Sequence, residues 1–133
     1  MPEPVVDIAS TFEGYLGLNW IELTEELAHV TFDVRDGLKQ PLGLVHGGIY
    51  SSVAETLASV ATVYGVWQDG FTGSGISNVA SFLRPITKGT VDVMCRRASH
   101  EADRWVWHTE FTDENENLCS LVEVAIAVRP LPR

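Results

Sequence analysis

The sequence predicts an α+β fold: a curved antiparallel sheet wrapped around one long central helix. Three observations carry this. The run from His46 to Tyr64 is apolar or small around most of its circumference at helical spacing. From Ile76 to Val128 the hydrophobic period switches to two, in four stretches divided by short turns. Two further β-rich runs, Leu18–Thr24 and Ala28–Val34, precede the helix. Strands, one helix, then strands with short connections suit consecutive antiparallel pairing and not βαβ crossovers.

In chain order, residues 1 to 9 read as a loose arm. Ser10 to Glu13 has the pattern of a helix start, with Ser10 as N-cap and Glu13 three residues on, and Gly14 and Gly17 keep that helix short. The two early β-rich runs flank Glu25-Glu26 as a hairpin, and Arg35-Asp36-Gly37 is a turn. A loop from Lys39 to Val45 contains Pro41 and Gly43 and runs into His46-Gly47-Gly48, where the long helix starts. That helix is expected to stop near Gly65, with Trp67 to Gly70 and the glycines at 73 and 75 forming a loop. Strands follow at Ile76–Leu83, Thr90–Ser99, Arg104–Thr112 and Leu118–Val128, the last two separated by the acidic turn Asp113 to Asn117.

The chain has 133 residues, read as a single domain over 1–133, long enough to bury a core. Nine basic against 18 acidic side chains give a net charge of −9, which argues against nucleic acid or an anionic membrane as partner. The N-terminus lacks the basic and apolar regions of a signal peptide, and no apolar stretch reaches the length of a membrane span. Cys95 and Cys119 lie far apart within strands and read as reduced thiols of a cytoplasmic protein. There is no Cys-x-x-Cys, and His29, His46, His100 and His108 are scattered, so no metal site is expected.

The chemistry concentrates in the central helix. At its start the first backbone N–H groups lack intrahelical partners and the macrodipole is positive. Gly47 and Gly48 have no Cβ, so an oxygen atom can approach those amides closely, as anion binding or oxyanion stabilisation requires. A narrow polar stripe of Ser51, Ser52, Glu55, Ser59 and Thr62 crosses the otherwise apolar helix. A carboxylate among buried residues is costly unless paired, so Glu55 needs a reason to be there. Eight residues at 1.5 Å each place it about 12 Å from Gly47, too far for both to reach one bond within a subunit. A second chain would then complete the site. Each part also has a plain structural reading. Gly-Gly is common before helices, His46 can be a simple helix-start residue, and Glu55 can be a carboxylate held by Ser51 and Ser59. The residues alone name no reaction.

The segment PLGLVHGG-x5-AE (41–55), the strand SN-x2-SFLRP (77–85) and the C-terminal EVAIAVRP (123–130) resemble the hotdog-fold acyl-CoA thioesterases. The likeness spans roughly residues 12 to 130 and is greatest for the 4-hydroxybenzoyl-CoA branch with a catalytic Glu on the central helix. Phenylacetyl-CoA-type and 1,4-dihydroxy-2-naphthoyl-CoA-type thioesterases are similar too. The resemblance implies that Glu55 attacks the thioester carbonyl or activates water, and that Gly47 donates its N–H to the carbonyl oxygen. It implies that Gln40 orients the thioester, that His46 contacts the carbonyl, and that Ser59 hydrogen-bonds Glu55 or the water. Glu55 and Gln40 would come from different subunits. Gly48, Ser77, Asn78, Phe82 and Arg84 are the matching substrate-binding positions. Phe82 stands where naphthoyl-type relatives carry a histidine, which leans toward the hydroxybenzoyl branch.

The expectation is a cytoplasmic thioesterase that hydrolyses an aryl or arylalkyl-CoA ester to the acid and CoA. It would use no metal and no cofactor, coenzyme A being part of the substrate, and work as a homodimer at least, with a homotetramer implied by the resemblance. Arg84 is the first choice for the CoA phosphates. Trp105 and Trp107 share one strand face, as an aromatic acyl pocket or as sheet packing. Rival readings are a thioesterase for 1,4-dihydroxy-2-naphthoyl-CoA or medium-chain acyl-CoA, an enoyl-thioester hydratase, and a non-catalytic acyl-CoA-binding hotdog protein.

Overall fold

In the computed structural model, which describes residues 1–132, six strands form one antiparallel sheet with a single long helix against one face. The elements are α1 (Phe12–Leu16), β1 (Asn19–Leu23), β2 (Leu27–Asp33), α2 (Gly47–Val66), β3 (Phe71–Phe82), β4 (Thr90–His100), β5 (Arg104–Thr112) and β6 (Leu118–Pro130). The sheet order is β1-β2-β4-β5-β6-β3.

Alternation decides which strand residues meet the helix. Val30, Phe32, Val91, Val93, Trp107, Phe111, Val124 and Ile126 are fully buried between sheet and helix. Across from them α2 buries Val53, Ala54, Leu57, Ala58 and Ala61. Small side chains on this face let the helix axis sit close to the sheet. One polar bond stitches the layers: the Trp107 indole N–H donates to Thr62 Oγ1 at 2.9 Å, and that hydroxyl donates to the Ala58 carbonyl at 2.7 Å. The tryptophans therefore pack the core. Trp105 and Trp107 lie 6.2 Å apart, and Trp105 is also buried.

The structure departs from the sequence reading in five places. The cap of α1 is Thr11, whose side chain accepts from the Gly14 N–H, because Ser10 is taken up in a preceding 3-10 turn. Gly14 lies inside that helix, and Gly17, with φ of 68°, ends it. Helix α2 does end where expected, at Val66 beside Gly65. Gly65 is there for packing: a Cβ on it would lie 2.6 Å from the Trp105 ring. Gly73 and Gly75 belong to β3, which starts at Phe71. They too make room, Gly73 against Thr62 and Ile126, Gly75 against Glu55. Pairing in the second half is not wholly consecutive, since β3 crosses over to pair with β6 at the sheet edge, and β4 pairs with β2 and β5. Finally, α2 is not buried all round. Thr62 is buried in the core, but Glu55 and Tyr64 are exposed in the protomer.

The layer-to-layer bond gives a test. Thr62→Val keeps the shape but leaves the Trp107 N–H and its surroundings without an acceptor. Urea unfolding should show a loss of about 1–3 kcal/mol, and an unchanged midpoint would contradict the role given to this bond.

Candidate active site

The start of α2 is built from the loop before it. Backbone bonds from His46 N to Leu38 O (2.9 Å) and from Val45 N to Ile86 O (2.9 Å) pin the loop to the helix entrance and to the β3–β4 connection. Gln40 closes the loop on itself: its N–H donates to Leu44 O at 2.8 Å and its carbonyl accepts from Gly43 N at 2.9 Å. Its side-chain Oε1 accepts from the Leu42 N–H, leaving the Nε2 amide as the free donor.

His46 is the N-cap of α2, an uncommon residue for that place. Its Nδ1 accepts from the Gly48 N–H at 2.9 Å, and its carbonyl accepts from the Ile49 N–H at 2.9 Å. An accepting Nδ1 carries no proton, so the neutral ring holds its proton on Nε2. Of the first three helix amides this leaves the Gly47 N–H without a partner among the described residues.

A cavity of about 450 Å³ opens at this amide. Gln40, Gly47, Tyr50, Phe82 and Arg84 all line it, so four of the predicted site residues are brought together. The Phe82 ring lies over Gly47, where a Cβ would come within 3.0 Å of it. Tyr50 sits edge-on to Phe111, 5.0 Å between centroids, and 5.9 Å from Phe82. Burial, with a smaller contribution from Cys119, pushes the Tyr50 phenol up to about 12, so it stays a neutral hydrogen-bonding group. Arg84 is the only charged residue in the lining among the described residues.

The other predicted residues lie elsewhere. Glu55 is not at this cavity; it is exposed on α2 with its carboxylate against Gly75 of β3. Ser59 is half-buried one turn on, and Ser52 donates to the Gly48 carbonyl at 2.7 Å instead of to Glu55. Ser77 is exposed on β3, and Asn78 donates from Nδ2 to the Ser51 carbonyl at 2.9 Å. Gly48 spends its amide on the His46 cap. Sequence reasoning missed Tyr50 and Gly75. Tyr50 was within reach, being a large aromatic three residues after Gly47 and so on its helix face. The two-residue spacing of Gly73 and Gly75 was the strand signal that a glycine-poor reading of strands overlooks.

A deep sheet around one helix, a free amide at the helix start and a carboxylate farther up that helix define a hotdog thioesterase. Comparison with known proteins supports that class. No family profile matches the sequence. The proofreading thioesterase EntH of Cronobacter turicensis is 30% identical over 118 residues, covering 89% of this chain and 85% of its own. A Mycobacterium tuberculosis protein (strain H37Rv) provisionally named an esterase is 30% identical over 127 residues, covering 94% and 90%. The crystal structure of a Haemophilus influenzae thioesterase superposes with a TM-score of 0.87 at 25% identity, covering 95% of this chain and 87% of that one. The chain belongs to the hotdog-fold thioesterase family and is a thioester hydrolase.

The cap predicts a measurable dependence. His46→Ala should cost about 0.5–2 kcal/mol of stability in denaturant unfolding, and His46→Asn, a good capping residue, should recover most of it. Equal stability of the alanine variant would remove His46 from the cap role.

Proposed function

We propose that this thioesterase hydrolyses an aryl or arylalkyl-CoA thioester of the 4-hydroxybenzoyl-CoA kind, in a site shared by two subunits. The observation that carries the reading is the free Gly47 amide at the floor of an aromatic-walled cavity. The thioester carbonyl oxygen accepts from that amide at the positive end of α2, which polarises the carbonyl. Gln40, with its free Nε2, orients the thioester. Tyr50 and Phe82 offer ring faces and edges to an aromatic acyl group. Arg84 supplies the one cation of the cavity lining among the described residues, suited to a CoA phosphate in a chain of net charge −9.

Glu55 either activates a water that attacks the carbonyl or attacks it itself to form a mixed anhydride that water then cleaves; in both cases the C–S bond breaks, the CoA thiolate leaves and the acid is released. Thiolate is a good leaving group, so no metal or prosthetic group is required. Within one protomer Glu55 stands about 12 Å along the helix from Gly47. A partner must therefore bring its Glu55 to this cavity. The edge strand β3 is suited to pair with a second copy: it is long, ends the sheet, and exposes Ile76 (48%), Val79 (64%) and Phe82 (59%). Such an edge, uncharged from Phe71 to Phe82, is left unguarded only where it is covered. A dimer is thus the working unit, and pairing of dimers into a tetramer is the larger assembly. The two unpaired, buried thiols fit a reducing cytoplasm.

A thiol-release assay over benzoyl-, hydroxybenzoyl-, phenylacetyl-, naphthoyl- and straight-chain CoA esters tests the substrate class. Aryl and arylalkyl esters should give the highest kcat/KM, and a clear preference for straight chains would overturn the acyl assignment. The protein's own thiols will not interfere: burial pushes Cys95 up to about 12 and raises Cys119 as well. Glu55→Ala should lower kcat on the order of 10³-fold, and near-native hydrolysis by that variant would remove Glu55 from the chemistry. The shared site is tested by mixing Glu55→Ala and Gln40→Ala subunits, each poorly active alone. Half of the reassorted dimers then carry one intact site of two, so about a quarter of wild-type activity should return. No recovery after verified exchange would place both residues in one subunit.

A further inference from the structure

Strand β3 does more for the site than close the sheet. It contacts α2 head to tail, Gly73 beside Thr62, Gly75 beside Glu55, Asn78 beside Ser51 and Phe82 over Gly47. Two of these contacts bracket Glu55. A Cβ at Gly75 would lie 3.1 Å from Glu55 Oε1 and 3.6 Å from its Cδ, so the carboxylate rests on the bare backbone of the strand. Asn78 Nδ2 donates at 2.9 Å to the Ser51 carbonyl, the acceptor one turn below that also receives the Glu55 N–H in an α-helix.

These two residues are three apart, and in a regular strand they would point to opposite faces. They do not, because β3 carries an irregularity. Gly75 pairs with Ile126 and Ser77 with Ala125, leaving Ile76 as an extra residue. After the bulge Asn78 pairs with Val124, and Ile126 and Val124 are both fully buried on the helix side. The bulge therefore turns Gly75 and Asn78 to the same face, the one α2 lies on. The arrangement has a cost left visible: Asn78 Oδ1 is buried without a hydrogen-bond partner. A buried orphan acceptor is kept where the rest of the side chain has a task.

We infer that Gly75 and Asn78 are positioning residues for Glu55, a seat formed by the bulge at Ile76. This rests on the reading of Glu55 as the reacting carboxylate. A glutamate exposed on a helix samples several rotamers, and a carboxylate misplaced by about 1 Å can lose roughly 10²-fold in rate. Gly75 limits where the carboxylate can lie by letting it reach the strand backbone. Asn78 fixes the helix turn from which it projects.

The experiment uses the full-length protein, with three variants compared by kcat, KM and thermal midpoint on its best CoA ester. In Gly75→Ala the new methyl meets only the far end of the flexible Glu55 side chain, and Gly75 does not have a left-handed φ, so folding should be retained. The midpoint should stay within about 2 °C and KM within about twofold, with kcat down roughly 10²-fold. Asn78→Leu removes the Ser51 tie together with the orphan oxygen, so stability should hold and kcat should again fall without a matching change in KM. Gly73→Ala is the structural comparison. Its methyl meets Ile126 Cγ2 at 2.9 Å and Thr62 Cγ2 at 3.1 Å in the core, so the midpoint should drop while the kcat of the folded protein stays. Wild-type kcat in Gly75→Ala beside an inactive Glu55→Ala would overturn the seat alone. Full activity in Glu55→Ala would overturn the seat together with the reading beneath it.

Discussion

The close approach of α2 to β3 is the constraint on which the rest of the structure depends. It is set by absent atoms. Gly73 and Gly75 carry no Cβ where Thr62 and Glu55 press on the strand, and Gly47 carries none under the Phe82 ring. A side chain at Gly73 would press on Ile126 and Thr62 in the core and one at Gly47 on the Phe82 ring, whereas one at Gly75 would displace only the Glu55 carboxylate. The Trp107–Thr62 bond spans the same gap from the neighbouring side of the sheet, with both partners fully buried. An outward step of α2 by one methyl radius would stretch this bond past useful length and leave an indole N–H stranded in the core. Packing and polar satisfaction thus agree on one helix position, which is why the helix end that meets substrate is also fixed.

The same contact divides the helix into two working faces. Val53, Leu57 and Ala61 fill the core, while Glu55 and Tyr64 look away from it in the protomer. Strand β3 shows the matching asymmetry, one side on α2 and Ile76 and Val79 left open at the sheet edge. A monomer would therefore expose an apolar strand edge close to its own carboxylate. The proposed pairing of two copies would remove the edge and give each Glu55 a neighbouring chain to act on. Stability and chemistry would then ask for the same partner.

Much of this was legible in the sequence, and the failures have one cause. Period-two alternation located β4, β5 and β6 nearly to the residue, because each has one face on the core. Small-residue helical spacing located α2. The error after α2 came from reading glycine as an interruption, Gly73 and Gly75 as loop. In both cases glycine serves a contact with a residue distant in sequence, Ile126 or Glu55, and local pattern carries no record of it. The candidate site divides the same way. Gln40, Gly47, Phe82 and Arg84 share one cavity as motif reading expected, whereas the link from Gly75 to Glu55 exists only once β3 has crossed to pair with β6. The exposure of Glu55 was misjudged because an apolar composition around most of a helix does not say which single position stays uncovered.

The helix entrance shows how a cap can determine chemistry. A helix start offers several unpaired amides, and most caps satisfy one of them at the second or third helical position. Here the cap is bulkier than serine or aspartate and uses both its atoms: His46 O takes the Ile49 amide and Nδ1 takes the Gly48 amide. The positive end of α2 is therefore focused on a single remaining donor, at Gly47, directly beneath the cavity. A ligand oxygen has one amide to choose, so its position is defined within the spread of one hydrogen bond instead of three. In the proposed shared site that selection would matter, because a carbonyl would be presented to a carboxylate arriving from another chain, and tolerance on one side of the bond would have to be made up on the other. On that proposal His46 would act on the thioester without touching it, by leaving it only one amide to bind.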